Sequence, residues 1–171
     1  MKAELLVLRL IHILGGIFWV GGLMYTSFFL VPVVRSSPVV AGQVMAGLQK
    51  RRLFIVLPTV ALLTIASGLR LLMIDSAGFS GSYFSTDAGR TYGTGAVAAI
   101  FAFLISMLVS RPAFVHVGKL GASLATTTDE GSRQRIATEM QRLNQRATVA
   151  NGVVVVLLML TAAGMAIARY L

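Results

Sequence analysis

The sequence has no cysteine among its 171 residues. That removes disulfides, thiolate metal sites and thiol catalysis from consideration. Acidic residues are scarce, with six Asp and Glu in all. Every one lies in a loop or near a helix end, so no carboxylate is available deep in an apolar run for proton pumping or ion-coupled transport. Charge as a whole is low, at 12% of residues, where a soluble domain carries about a quarter. Glycine-rich phosphate loops are missing, and no nucleophile stands beside a base in the sequence.

What is present is apolar. Hydrophobic residues make up 56% of the chain, and the mean hydropathy is +0.81. Four long apolar runs cover roughly 5–34, 53–74, 91–117 and 147–170. Each exceeds the ~20 helical residues needed to cross a hydrocarbon core. We therefore expect an all-α integral membrane four-helix bundle, a single domain over 1–171. The first run is too long for a signal-peptide core and has no small-residue cleavage site, so it is expected to stay in the mature chain.

The net charge of +9 is unevenly placed. Segments 35–52 and 111–146 together hold ten of the fifteen Lys and Arg, for a net of +7. Basic loops stay on the cytoplasmic side. This predicts termini outside and the 75–90 loop outside. Ile136, Met140, Leu143 and Ala147 carry a 3–4 spacing straight into the fourth run, so helices three and four are expected to be extended on the cytoplasmic side. Lipid headgroups are the expected partner of the basic loops. The basic residues form no aromatic-interleaved platform, so nucleic acid is not expected.

Several local features follow. Ser37 and Pro38 read as the start of a short interfacial helix carrying Val40, Val44 and Leu48 at four-residue spacing. Pro58 falls in the first turns of helix two, where a proline costs least. Gly95 with Ala99, Ala98 with Ala102, Ala162 with Ala166 and Gly164 with Ala168 place small residues four apart, a pattern that brings helices close in lipid. "LVPVVR" and "LVSRPAFV" put proline and arginine at corresponding places in two halves of the chain, a faint internal repeat.

The candidate chemistry lies in "HILGGIFWVGG", residues 12–22. His12 is eight residues into helix one, about 12 Å along the axis. An ionisable side chain inside a span is costly and marks a candidate site. Trp19 is two turns further on the same face, with Gly15, Gly16 and Gly22 around it. At a similar depth lie Arg9, Arg70, Met73, Tyr92 and Met165. Three readings stay open. Imidazole and thioether ligands (His12, Met73, Met165) suit copper(I). Alternatively, His12 is an axial ligand of haem b, with the glycines admitting a flat ring and Trp19 packing on its edge. In the third reading His12 bonds a neighbouring helix and the glycines serve packing alone. Arg9 and Arg70 either reach the headgroups or pair with Glu4 and Asp75. His116 follows Arg111 and Pro112 at the opposite boundary and is expected to be an interfacial side chain.

The first helix, with His12, Trp19, Gly21 and Gly22 followed by an apolar stretch to Pro32 and Arg35, resembles that of the CopD-like (copper resistance protein D) membrane proteins. "RRLF…LTIASGLRLL" and "AGMAIARYL" are similar to the second and last helices of short four-helix members. The resemblance implies a bacterial inner-membrane protein linked to copper handling. A weaker similarity, through Trp19, Gly22 and Tyr25, is to the haem-binding protoporphyrinogen oxidases. That implies a membrane redox protein or oxidase with haem b on His12. A non-catalytic subunit of a larger membrane complex, or a homo-oligomer, is the remaining expectation.

Overall fold

The computed structural model describes residues 2–35, 43–44 and 47–171, with the side chains of 34 and 35 left out. Ser37, Pro38 and Val40 lie outside the described residues. Val44 and Leu48 are helical and half-buried, and they pack with Leu30 and Phe54.

Four helices are long and apolar enough to cross a membrane among the described residues. The first is α1 (Lys2–Tyr25), a widened π turn (Thr26–Leu30) and α2 (Val31–Arg35). The second is α3 (Leu53–Asp75). A short α4 (Gly81–Phe84) follows in the connecting loop. The third is α5 (Asp87–Ile105), a second π turn (Ser106–Ser110) and α6 (Arg111–Thr126). The fourth is α7 (Glu130–Ala168), 39 residues without interruption.

The two π turns have a common cause in the sequence. Each ends two residues before a proline, Pro32 in the first and Pro112 in the third. A proline inside a helix has no N–H to donate, and its ring crowds the carbonyl four residues back. A turn with one extra residue relieves that crowding. Val31 N–H then bonds Thr26 O, and Arg111 N–H bonds Ser106 O. The faint repeat of "LVPVVR" and "LVSRPAFV" is thus matched by a repeated local geometry.

The helices pair α1 with α3 and α5 with α7, and these pairs close into a bundle. Both termini and the 75–90 loop lie at one end, the termini end. The basic segments lie at the other, the hairpin end. There α6 and α7 run on past the apolar stretches and pack along each other. The turn between them is short because Asp129 caps α7, its carboxylate accepting from Ser132 N–H at 2.7 Å. That bond, on an exposed side chain, holds the Asp129 carboxyl below its ordinary value. At the termini end, burial, then the Asp75 carboxylate and Tyr92, push the Tyr83 phenol up.

The core is a column of Trp19, Leu23, Ala61, Ala102, Val154, Val155 and Leu158. Small residues set its width. Gly95 faces Met165 and Thr161 across the α5–α7 contact, and Gly164 faces Thr91. Ala102 and Ala168 are fully buried, while Ala162 and Ala166 point outward. The α5–α7 seam therefore uses only part of the expected small-residue pattern. The outward faces of α1, including Leu6, Leu10, Leu14 and Ile17, are strongly exposed. Apolar surface of that kind is stable only against hydrocarbon or another apolar face.

Candidate functional site

His12 sits on the inner face of α1, half-buried against α3. Its ring lies over Gly68, in a notch that exists because Gly68 has no side chain. A Cβ there would stand 2.6 Å from His12 Cε1 and 2.8 Å from Nδ1. The ring is fixed in that notch by one hydrogen bond, 2.8 Å between Nδ1 and the carbonyl oxygen of Thr64. A carbonyl oxygen can only accept. Nδ1 must therefore carry the hydrogen, and in the neutral ring Nε2 keeps its lone pair. Ser67 Oγ also approaches the Thr64 oxygen, at 3.0 Å, and donates at 2.7 Å to Leu63 O. This backbone anchor is the kind that orients metal-binding imidazoles in general.

Three of the four glycines in residues 12–22 have packing partners. A Cβ on Gly15 would collide with Thr64 Oγ1. Gly16 meets Thr64 Cγ2, and a Cβ on Gly22 would lie 3.3 Å from Leu57 Cδ1. Nothing approaches Gly21 within 4 Å. So α3 packs against the face of α1 that carries Gly15, Gly16 and Gly22. Trp19 is 3% exposed and meets Phe103 edge-on, with ring centroids 6.5 Å apart. It belongs to the core column on His12's face of the helix.

The thioethers divide. Asn151 Nδ2 donates to Ser27 Oγ, which fixes the register of α7 against the first helix. Fifteen residues from that contact toward the termini end lie His12 on the first helix and Ala166, next to Met165, on α7. Its Cε and Cγ lie against Gly95. Met73 lies five residues past Gly68, about 7.5 Å further along α3. Its Sδ is 3.8 Å from Arg70 Nη1, and it is largely exposed. Arg70 itself pairs with Glu4, at 2.7 Å, both about half exposed. An ion pair so placed is worth on the order of 0.5 kcal/mol in water. Tyr92 is half-buried beside Tyr83, and Arg9 is exposed. Among the described residues no group of three or more His, Asp or Glu converges as a metal site. His116 is exposed on α6, at the hairpin end, remote from His12.

A second feature escaped the sequence reading. Pro58 is the sixth residue of α3, in its second turn, so the carbonyl of Phe54 loses its helical donor. Arg111 supplies one, with Nε donating to Phe54 O at 3.1 Å. The sequence signal was available: a proline inside an apolar run leaves one free carbonyl, and an arginine bordered the neighbouring run. Near this contact Thr26, the second π turn and the Pro58 region line a partly open cavity of about 80 Å³. Trp19, Phe103 and Phe114 line it, with Ser106, Ser110 and Asn151. The hydroxyls of Ser110 and Thr161 are buried without a hydrogen-bond partner. An unmet group of this kind costs about 1–3 kcal/mol.

No protein family matches the chain, and no curated protein or solved structure is detectably similar to it.

Proposed function

We propose that the chain is a CopD-like membrane protein that binds copper(I) through His12 Nε2, with Met165 as the nearest soft ligand in depth. The observation that carries this reading is the Nδ1–H bond to the Thr64 carbonyl. It holds the ring in one tautomer and leaves its metal-binding nitrogen bare. Counting from the Asn151–Ser27 contact favours Met165 over Met73 as second ligand, since the same number of residues leads to His12 and to Ala166 beside Met165. Copper(I) accepts low coordination by imidazole and thioether, and the set lacks the hard carboxylates that calcium or magnesium need. On the basic-loop reading, His12 faces the outer leaflet of a bacterial inner membrane, and the chain binds or passes copper there.

Haem b on His12 is disfavoured by the close α1–α3 seam. The test separates the readings. Protein purified anaerobically into lipid nanodiscs is titrated with copper(I), wild type beside His12→Ala. We expect about one copper per chain in wild type, as for any single site, and none in the variant. Equal uptake by both would overturn the proposal. A Soret band lost in His12→Ala would establish haem instead. Neither cofactor, with stable co-purification of a larger membrane complex, would establish an accessory subunit.

A further inference from the structure

A groove on the outward face of α5 plays no part in the His12 site. It follows Arg90, Thr94, Val97, Phe101 and Ile105. Their three- and four-residue spacing keeps them on one side of the helix. Gly93 and Ala98 are the small residues of that side, and Phe84 of α4 and Leu157 of α7 flank it. Phe84 reaches back onto α5 because Gly93 has no side chain, and a Cβ there would lie 3.1 Å from the ring. From Arg90 to Ile105 the groove runs about 22 Å along the axis. Its volume is about 660 Å³. A benzene-sized ring takes an apolar cavity on the order of 150 Å³. The groove therefore suits a long, narrow molecule and not a single ring.

Its chemistry is apolar except at one end. Val97 is 53% and Phe101 57% exposed, so both face outward from the bundle. The Thr94 hydroxyl is already spent on Arg90 O, at 2.9 Å. Arg90 is the one charged side chain in the lining. Its guanidinium comes no nearer than 3.9 Å to Asp87, too far for a hydrogen bond. Its N–H groups are thus left to donate. Arg90 is also the last charge before the third apolar run, which places it at headgroup level in a spanning helix. One leaflet of hydrocarbon is about 15 Å deep, half of a ~30 Å core. The groove is long enough to follow a chain through it. A planar guanidinium is the side chain best matched to phosphate.

We infer that this groove holds one acyl chain of a phospholipid, with the phosphate on Arg90. The chain runs from Phe84 past Val97 and Phe101 toward Ile105. This rests on reading α5 as a membrane span, and it is independent of whether His12 binds copper.

Native mass spectrometry of the full chain in detergent, titrated with phosphatidylglycerol, tests it. Wild type is expected to bind one lipid more tightly than any that follow. Arg90→Gln is expected to weaken that first binding about tenfold, the loss of one charge-assisted contact. Ala98→Phe, which fills the groove, is expected to abolish the tight event. Arg169→Gln removes another cation at the termini end, one that lies over the Tyr170 ring, and is expected to change nothing. Diacylglycerol, which has the chains without the phosphate, is expected to bind wild type and Arg90→Gln equally weakly. Wild-type affinity for phosphatidylglycerol in Arg90→Gln would overturn the inference, as would a wild type with no distinct first lipid. A dimer that Ala98→Phe splits, with lipid binding unchanged, would give the groove to a second copy and overturn it too. Where Ala98→Phe lowers the yield of folded protein, Ala98→Leu gives the same comparison.

Discussion

Gly68→Val is expected to remove copper binding while the four helices remain. The ring of His12 occupies the place a side chain would take, with Cε1 only 2.6 Å from that Cβ position. Neither group can yield by a small shift, because Nδ1 is tied to Thr64 O on the same stretch of α3. The imidazole must leave the notch, and the bond that sets its tautomer is lost. The overpacking costs about 1–3 kcal/mol, and the lost hydrogen bond about 1 kcal/mol more. Gly152→Val is the control, since nothing lies within 4 Å of a Cβ at that position. Thermal unfolding in nanodiscs and copper stoichiometry check both. Copper uptake by Gly68→Val at the wild-type level would mean that the notch does not position His12.

Trp19→Ala is expected to have the largest effect on stability. Trp19 is the biggest side chain in the core column, which draws Ala61, Phe103, Val154 and Leu158 together from the other three spanning helices. In water such a truncation costs about 3–5 kcal/mol. In a bilayer the unfolded reference is still in hydrocarbon, so the transfer part of that cost falls away. What remains is the cavity and the lost dispersion contacts, about 3 kcal/mol. Trp19→Phe keeps the edge contact with Phe103 and should lose less than half of that. Unfolding by graded detergent denaturation reads both variants. An alanine variant as stable as wild type would mean that the column is not the core.

The four long helices were legible in the sequence because hydropathy over twenty residues is a strong signal, and lipid-compatible runs leave few alternatives. The extension of α6 and α7 was legible from Ile136, Met140, Leu143 and Ala147, which carry the 3–4 spacing into the apolar run. The Arg70–Glu4 pair was among the expected alternatives. The local register of the seams was not legible. Gly15, Gly16 and Gly22 look the same whether they admit a ring or a helix, and only the positions of Thr64 and Leu57 decide between these. The π turns were hidden because proline marks the strain but not how the backbone relieves it. Arg111 looked like a boundary charge. Its bond to Phe54 O depends on how α3 and the third helix align, which no single run encodes.

The central claim is that the Thr64 carbonyl holds His12 as the Nδ1–H tautomer with Nε2 free for a metal. The chain has two histidines, so His116→Gln leaves His12 as the sole imidazole. Nitrogen-15 NMR of that variant in nanodiscs reads each ring nitrogen directly, before and after copper(I) is added. We expect a protonated Nδ1 and a bare Nε2 in the neutral ring, with copper(I) moving the Nε2 resonance and leaving the proton on Nδ1. A proton on Nε2 instead, or an imidazole spectrum that copper(I) does not change, would contradict the account.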